Sequence, residues 1–307
     1  MFRGDRTMTV VFEQVLMLVL FAAAGYVLCK KHLSDSKHTK LLSTLEIYVF
    51  LPGTVFNTFS KNFTAAYLRE KYVLVLISAA VLLIVAVSMQ FFSKLLTKDS
   101  YRRSVYSYSL TIPNYGYMGY ALAGSLFGSE TLLNVMIYAL PLSMYVYTIG
   151  YCILTKTKLN LKKLLNPVLI SMAIGMIVGL AGWQPPALVG TMAEKAAACM
   201  APVSMLLTGM VISEYRFSDL LRKKMNYVVS ALRLLALPCL IAGALRLLRL
   251  ELAVIPALMI FCMPCGLNTV VFPRMIGEDC ETGASLAVIS SLASCATIPF
   301  CVWLFTH

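Results

Sequence analysis

Residues 110–124 read LTIPNYGYMGYALAG, and this stretch interrupts an apolar run long enough to cross a membrane. It places Pro113, Asn114, Gly116 and Gly119 near the middle of that run. Proline removes a helix hydrogen bond, and the backbone groups that it frees find no water in hydrocarbon. Irregular backbone is tolerated at such a depth only where it is buried in protein or lines a cavity. The stretch therefore predicts a broken helix with a function at the break.

The composition is that of a membrane protein. The chain has 307 residues, of which 59% are hydrophobic and 13% charged, and its mean hydropathy is +0.79. Soluble domains are about one quarter charged. The net charge of +12 does not indicate nucleic acid, because the lysines and arginines fall in short loops between apolar runs. We expect an all-α polytopic membrane protein that contacts the lipid bilayer and binds no nucleic acid.

The nine cysteines do not indicate a metal site. Cys262 and Cys265 form a Cys-x-x-Cys pair, but no second pair and no nearby histidine accompanies them. We expect the cysteines to behave as small buried hydrophobes, with no metal and no cofactor. The first apolar run is too long for a removable signal peptide, so we expect it to remain as the first span.

Apolar runs that can cross about 30 Å of hydrocarbon occur ten times. They lie at 9–29, 42–60, 72–93, 104–127, 131–154, 165–183, 193–213, 226–247, 253–275 and 283–305. Loops after odd-numbered spans hold 16 lysines and arginines, whereas the termini and the other loops hold 6. Positive residues favour the cytoplasmic side. The pattern predicts a plasma-membrane protein with both termini extracytoplasmic and a short cytoplasmic loop at 155–164.

The two halves of the chain match at an offset of about 150 residues. The matching pairs include Gly25 and Gly175, Pro52 and Pro202, Thr58 and Thr208, Pro113 and Pro264, and Gly128 and Gly277. Each half has five predicted spans, an odd number, so the second copy must enter the membrane from the opposite side. We expect inverted five-helix repeats at 1–154 and 165–307, with the broken helices 4 and 9 crossing.

The two proline breaks lie near the bilayer midplane. Pro113 is about ten residues into span 4 and Pro264 about eleven into span 9, or roughly 15 Å each. The half-helix after each break begins with unpaired N–H groups that favour an anion. Asn114 and Asn268 follow the breaks and supply amides without a buried charge. The spacing therefore predicts an anion site at the crossing.

The remaining candidate residues of this site are glycines and an aromatic side chain. Gly116 and Gly266 would let the backbone approach a ligand closely. Tyr115 adds an amphipathic surface beside the first break.

Two ionisable residues within the spans leave alternatives open. Glu46 lies a few residues into span 2, where it can reach the interface or carry a proton. Arg233 lies about 10 Å into span 8 and is either a functional cation or a side chain that snorkels to the cytoplasm. No acid lies at the predicted midplane.

Three motifs extend this pattern over nearly the whole chain. They are LPGTVFNTF at 51–59, IPNYGYMGYALAGSLFG at 112–128 and MPCGLNTVVFPRMIGEDCETGASLAVISSLASCATIP at 263–299. On these motifs the chain resembles the auxin efflux carrier family, which includes bacterial permeases and the plant PIN auxin transporters.

The resemblance implies a dimeric ten-helix transporter. Spans 1, 2, 6 and 7 would form a scaffold, and spans 3–5 and 8–10 a moving transport unit. Pro113 and Pro264 match the crossover prolines of the family, and Asn114 matches its substrate-contacting asparagine. The long cytoplasmic loop of many plant members is missing, with only KTKLNLKKL at 156–164 in its place, which makes auxin itself a poor substrate candidate.

The sequence favours a secondary carrier of small organic anions, such as carboxylates, that works by alternating access. An ion-coupled symporter or antiporter of the same fold, using sodium or protons, is the alternative. No intramembrane protease motif is present, so we do not expect an enzyme. We expect no sensory or signalling domain, which argues against a receptor.

Overall fold

The computed structural model describes residues 4–35, 37–157, 167–278 and 280–306. Within these ranges the regular structure is helical, with no strand. Most of the predicted 155–164 loop lies outside the described residues. The absence of strands among them agrees with the all-α prediction.

The described residues of the first half form eight α-helices. They are α1 (Gly4–Lys30), α2 (Lys37–Leu45), α3 (Leu51–Asn62), α4 (Ala65–Leu96), α5 (Ser100–Thr111), α6 (Tyr120–Tyr138), α7 (Leu140–Tyr145) and α8 (Tyr151–Thr155). Side chains cap two of these helices. The Thr64 hydroxyl accepts from the Tyr67 N–H at 3.2 Å to begin α4, and Asp99 Oδ1 accepts from the Arg102 N–H at 2.7 Å to begin α5. Such caps satisfy N–H groups that have no partner within the helix.

In the second half, the part of the chain that the structure describes forms eight more helices. They are α9 (Pro167–Leu180), α10 (Ala187–Ser213), α11 (Phe217–Arg222), α12 (Lys224–Ala231), α13 (Leu237–Leu247), α14 (Glu251–Phe261), α15 (Asn268–Met275) and α16 (Glu281–Thr306). Short π-helical turns join several neighbours in both halves. They lie at Glu46–Phe50, Tyr115–Gly119, Val146–Gly150 and Leu232–Ala236.

Several described helices are long and apolar enough to cross a membrane. Four qualify alone, namely Ala65–Leu96, Ala187–Ser213, Lys224–Leu247 and Glu281–Thr306, and a fifth results if the pair Glu130–Tyr138 and Leu140–Thr155, bent by 42°, is one span. Other predicted spans are divided: α5 ends before Pro113, and α14 ends before Pro264. The chain is therefore a multi-pass membrane protein.

Helices from opposite halves pack together with almost no space between their backbones. A methyl group added to Gly25 of α1 would lie 2.1 Å from the Leu206 carbonyl oxygen of α10. One added to Gly175 of α9 would lie 3.3 Å from the Phe56 carbonyl oxygen of α3. Gly25 and Gly175 are 150 residues apart, and so are Phe56 and Leu206, so α9 packs on α3 at the positions that correspond to the packing of α1 on α10. Small residues permit such close packing in membranes.

The second part of each broken segment is also interrupted by a glycine at matching positions. Gly128 has φ of +79° and Gly277 has φ of +77°, and the two are 149 residues apart. Glycine adopts this region without the steric cost that other residues meet. The two repeats therefore share an unusual backbone conformation as well as a sequence offset.

A polar cluster joins α15 to helices of the predicted scaffold. Arg274 of α15 donates to the Thr39 hydroxyl of α2 at 3.1 Å and pairs with Glu214, which follows α10. Close by in sequence, the Cys280 N–H donates to the Tyr215 hydroxyl at 3.2 Å. This cluster thus links helices that the sequence assigns to different units.

Candidate functional site

The two helix breaks, one after α5 and one after α14, contact each other. The Asn114 N–H donates to the Pro264 carbonyl oxygen at 2.8 Å, and Pro113 and Cys265 form an isolated antiparallel bridge. In a continuous helix the Asn114 N–H would instead bond the Leu110 carbonyl oxygen, four residues back. The second break therefore supplies a partner for a backbone N–H that the first break leaves unpaired.

Glycines allow the two segments to approach this closely. A methyl group on Gly119 would lie 2.8 Å from the Met259 carbonyl oxygen of α14. One on Gly266 would lie 3.1 Å from the Ile112 carbonyl oxygen in the other break. The space at Gly266 is thus occupied by protein. Around Gly116, by contrast, no atom lies within 4 Å of the added carbon.

A cavity lies beside the paired breaks. Of the seven predicted site residues, six line it: Pro113, Asn114, Tyr115, Gly116, Gly266 and Asn268. The seventh, Pro264, contributes the carbonyl oxygen that holds Asn114. The cavity volume is about 60 Å³, which exceeds the roughly 10–15 Å³ that one water needs. In this conformation the cavity admits only a small ligand group.

Three polar side chains of the break segments line the cavity. Asn114 is only 3% exposed, and neither its amide nitrogen nor its amide oxygen has a hydrogen-bond partner. Asn268 Nδ2 donates to the Tyr108 hydroxyl at 2.8 Å, and the Tyr115 hydroxyl lies 3.0 Å from Ser143 Oγ. A buried amide without partners costs free energy. Asn114 therefore has unused donor and acceptor capacity at the cavity wall.

The rest of the cavity wall comes from residues that the sequence did not assign to the site; Tyr120 lies in the first broken segment, and the others lie on further helices. It includes Thr54, Thr58, Tyr120, Ser143, Val168, Met172 and Met200. A signal existed for α3, because Thr54 and Thr58 are four residues apart and share one helix face. No local signal relates Ser143 or Met200 to the breaks. The cavity thus lies between the predicted scaffold and transport helices.

Arg233 does not extend toward the cytoplasm, contrary to one of the two sequence interpretations. The side chain is 0% exposed. Its Nη1 donates to the Leu110 carbonyl oxygen at 2.9 Å, and its Nε donates to the Met263 carbonyl oxygen at 3.3 Å. The guanidinium carbon lies 5.4 Å from the centre of the Phe261 ring. Arg233 therefore contacts both breaks.

Glu46 is also buried, so the expectation that it reaches the interface is wrong. It is 1% exposed, in the π-helical turn after α2. Neither carboxyl oxygen makes a hydrogen bond of good geometry. The nearby Ser204 hydroxyl donates to the Met200 carbonyl oxygen at 2.8 Å instead.

No described residues form a group of three or more histidine, cysteine or acidic side chains that could hold a metal ion. Cys262 and Cys265 are buried and not joined in a disulfide.

Paired helix breaks beside a cavity, in a chain with two matching halves, are typical of membrane transporters. A family model described as membrane transport protein matches this chain twice, over residues 10–158 and again over 153–303. The chain therefore belongs to the auxin efflux carrier family of membrane transport proteins, as the sequence motifs predict.

One curated relative supports the same class. The chain is 26% identical over 126 residues to an uncharacterized transporter of Methanocaldococcus jannaschii. This alignment covers 40% of the chain and 41% of the relative. The chain thus spans about two fifths of the length of that relative.

Proposed function

We propose that this protein is a secondary transporter of small organic anions, in particular carboxylates, which bind beside the paired breaks. The observation that carries the proposal is Asn114, whose buried amide has no partner and lines the cavity. An amide can donate to a carboxylate while the helix beginnings after each break present their N–H groups. The small cavity volume favours a ligand with a compact charged group.

In this proposal the chain crosses the plasma membrane ten times as two inverted repeats. Spans 4 and 9 are the broken helices that cross, and both termini are extracytoplasmic. The cation distribution supports the orientation, and the matching packing of Gly25 and Gly175 supports two related halves. The resemblance to the family supports a homodimer.

Transport proceeds by an elevator-like movement in this proposal. Spans 3–5 and 8–10 carry the ligand past a scaffold of spans 1, 2, 6 and 7. The position of the cavity supports this mechanism, because its wall is shared between the two groups of helices. Movement of one group against the other would carry the breaks and expose the cavity to alternate sides.

Thermal unfolding of the purified protein with a panel of mono- and dicarboxylates tests the binding. A ligand that binds only the folded protein raises the unfolding temperature. Asn114→Ala should then weaken binding of the best carboxylate roughly 10- to 150-fold, the scale of one hydrogen bond to a charged group. Asn57→Ala is the matched control, since Asn57 lies on α3 outside the cavity wall. If both variants lose the same affinity for the carboxylate, or if Asn114→Ala keeps the wild-type affinity, Asn114 is not part of the site.

An ion-coupled carrier of the same fold is the second candidate function. The buried Glu46 carboxyl favours it, because a carboxyl without a charged partner inside a membrane protein is suited to carry a proton. Uptake into proteoliposomes under an imposed pH gradient separates the two. A proton-coupled carrier should lose its response to the gradient in Glu46→Gln, whereas an uncoupled carrier has no such response to lose.

A further inference from the structure

The electrostatic balance at the paired breaks needs a positive charge, and Arg233 is the buried residue that supplies it. Four helix ends meet there: α5 and α14 end, and the segments from Tyr115 and Asn268 begin. A helix C-terminus carries about half a negative charge and an N-terminus about half a positive charge. The four ends alone therefore sum to about zero, which gives little preference for an anion.

The guanidinium is placed on the negative ends only. Leu110 lies in the last turn of α5, and Met263 lies just after α14. Their carbonyl oxygens accept from Arg233 at 2.9 Å and 3.3 Å. The Leu110 carbonyl loses the partner it would have in an unbroken helix, since the Asn114 N–H donates to Pro264 instead. A single positive charge thus offsets two half-charges of opposite sign.

The charge of Arg233 has no ionic partner in the described part of the chain, where the ion pairs involve other residues. Its Nη2 also has no hydrogen-bond partner. The side chain is completely buried, and a buried unpaired charge is costly. Retaining an arginine here is therefore difficult to explain by carbonyl satisfaction alone, which a neutral donor would provide at lower cost.

We propose that Arg233 determines the anion preference of the cavity by neutralising the helix C-termini at both breaks. The two helix N-termini then act as a net positive charge of about one toward the cavity. Arg233 is a positioning and charge-balancing residue, because it does not line the cavity itself. The proposal rests on the carboxylate-binding function proposed above.

Binding of propionate and its neutral isostere propionamide to the purified protein in nanodiscs separates charge from structure. In Arg233→Gln, propionate should bind roughly tenfold more weakly, because the variant loses a unit charge in a region of low effective dielectric constant. Propionamide should bind equally well to the variant and the wild type. In Arg233→Lys, which keeps the charge, the preference for propionate should remain within about threefold of the wild type.

A merely structural role predicts a different result. It would weaken both ligands together in Arg233→Gln, and the ratio of the two affinities would not change. That result would overturn the inference, as would loss of the propionate preference in folded Arg233→Lys. If Arg233→Gln does not fold, the preference of Arg233→Lys for propionate over propionamide tests the inference by itself. If the wild-type protein binds no carboxylate of the panel, both the proposed function and the inference are contradicted. If the wild type binds propionate and Arg233→Gln binds it equally well, only the inference is contradicted.

Discussion

The backbone N–H of Asn114 donates to the carbonyl oxygen of Pro264 over 2.8 Å, although the two residues are 150 positions apart in the chain. This bond fixes the break of one repeat against the break of the other. It also leaves the Asn114 side chain at the cavity wall, where neither of its amide atoms has a partner. The backbone of this residue is thus structural, while its side chain is available to a ligand.

Substitution of the two site glycines should separate binding from stability. Gly116→Ala adds a methyl group where no atom lies within 4 Å, so it should weaken carboxylate binding without lowering the unfolding temperature. Gly266→Ala places the methyl group 3.1 Å from the Ile112 carbonyl oxygen and should cost about 1–3 kcal/mol of stability. Thermal unfolding with and without ligand measures both effects. If Gly116→Ala instead lowers the unfolding temperature and leaves carboxylate binding unchanged, the ligand does not occupy the open space at Gly116.

The helix contact at Gly25 should be among the most sensitive in the protein. Gly25→Ala forces α1 away from the backbone of α10, because the methyl group would lie 2.1 Å from the Leu206 carbonyl oxygen. We expect a loss of about 3 kcal/mol in stability, measured as a lower unfolding temperature in detergent.

A matched control for this substitution is Gly243→Ala on α13. No atom lies within 4 Å of the carbon added there, so the variant should be as stable as the wild type or more stable by up to about 1 kcal/mol. If Gly25→Ala and Gly243→Ala lose similar amounts of stability, close packing is not the reason that glycine is needed at position 25.

The ion pair between Arg274 and Glu214 should favour the conformation described here. Glu214→Gln removes the charge that holds α15 to the end of α10, while the side chain keeps its size. We expect a shift of about 1 kcal/mol, or roughly fivefold, toward other orientations of the proposed transport unit. Distance distributions between spin labels on α3 and α6 would measure it.

The control for the ion pair is Asp219→Asn. Asp219 pairs with Arg222 at 3.7 Å, with side chains 44% and 82% exposed, and exposed pairs contribute little. Its distance distribution should match the wild type. If Glu214→Gln also matches the wild type, the ion pair does not bias the orientation.

The predicted topology can be tested in intact cells with a thiol reagent that does not cross membranes. Trp183→Cys, in the connection between α9 and α10, should be labelled above the wild-type background, because the cation distribution places this connection outside. Lys98→Cys, between α4 and α5, should be labelled only after the membrane is permeabilised. If only Lys98→Cys is labelled in intact cells, the orientation of the protein is opposite to the predicted one.

The position of a helix end before a proline can be predicted from the sequence because proline acts locally. Pro113 cannot donate a hydrogen bond, so the end of α5 just before it could be placed without any tertiary contact. The role of Arg233 could not be predicted in the same way, since Leu110 is 123 residues distant. Its contacts depend on how α5 and α14 meet the helix that carries it.

The surroundings of Gly116 and Gly266 also could not be predicted from the sequence. A glycine beside a proline break suggests close approach, but the sequence does not say to what. The structure leaves space at Gly116 and fills the corresponding space at Gly266 with the other break. Only the arrangement of both repeats distinguishes the two positions.

The contact between Gly25 and Leu206 has a consequence for biosynthesis. Leu206 is made 181 residues after Gly25, which corresponds to roughly 10–35 s of translation at about 5–20 residues per second. During that interval α1 can insert into the bilayer but cannot reach its final partner, and the break at Asn114 likewise awaits Pro264. The N-terminal half must therefore remain in the membrane with an unoccupied helix face until the C-terminal half arrives, so final assembly follows the synthesis of the second repeat.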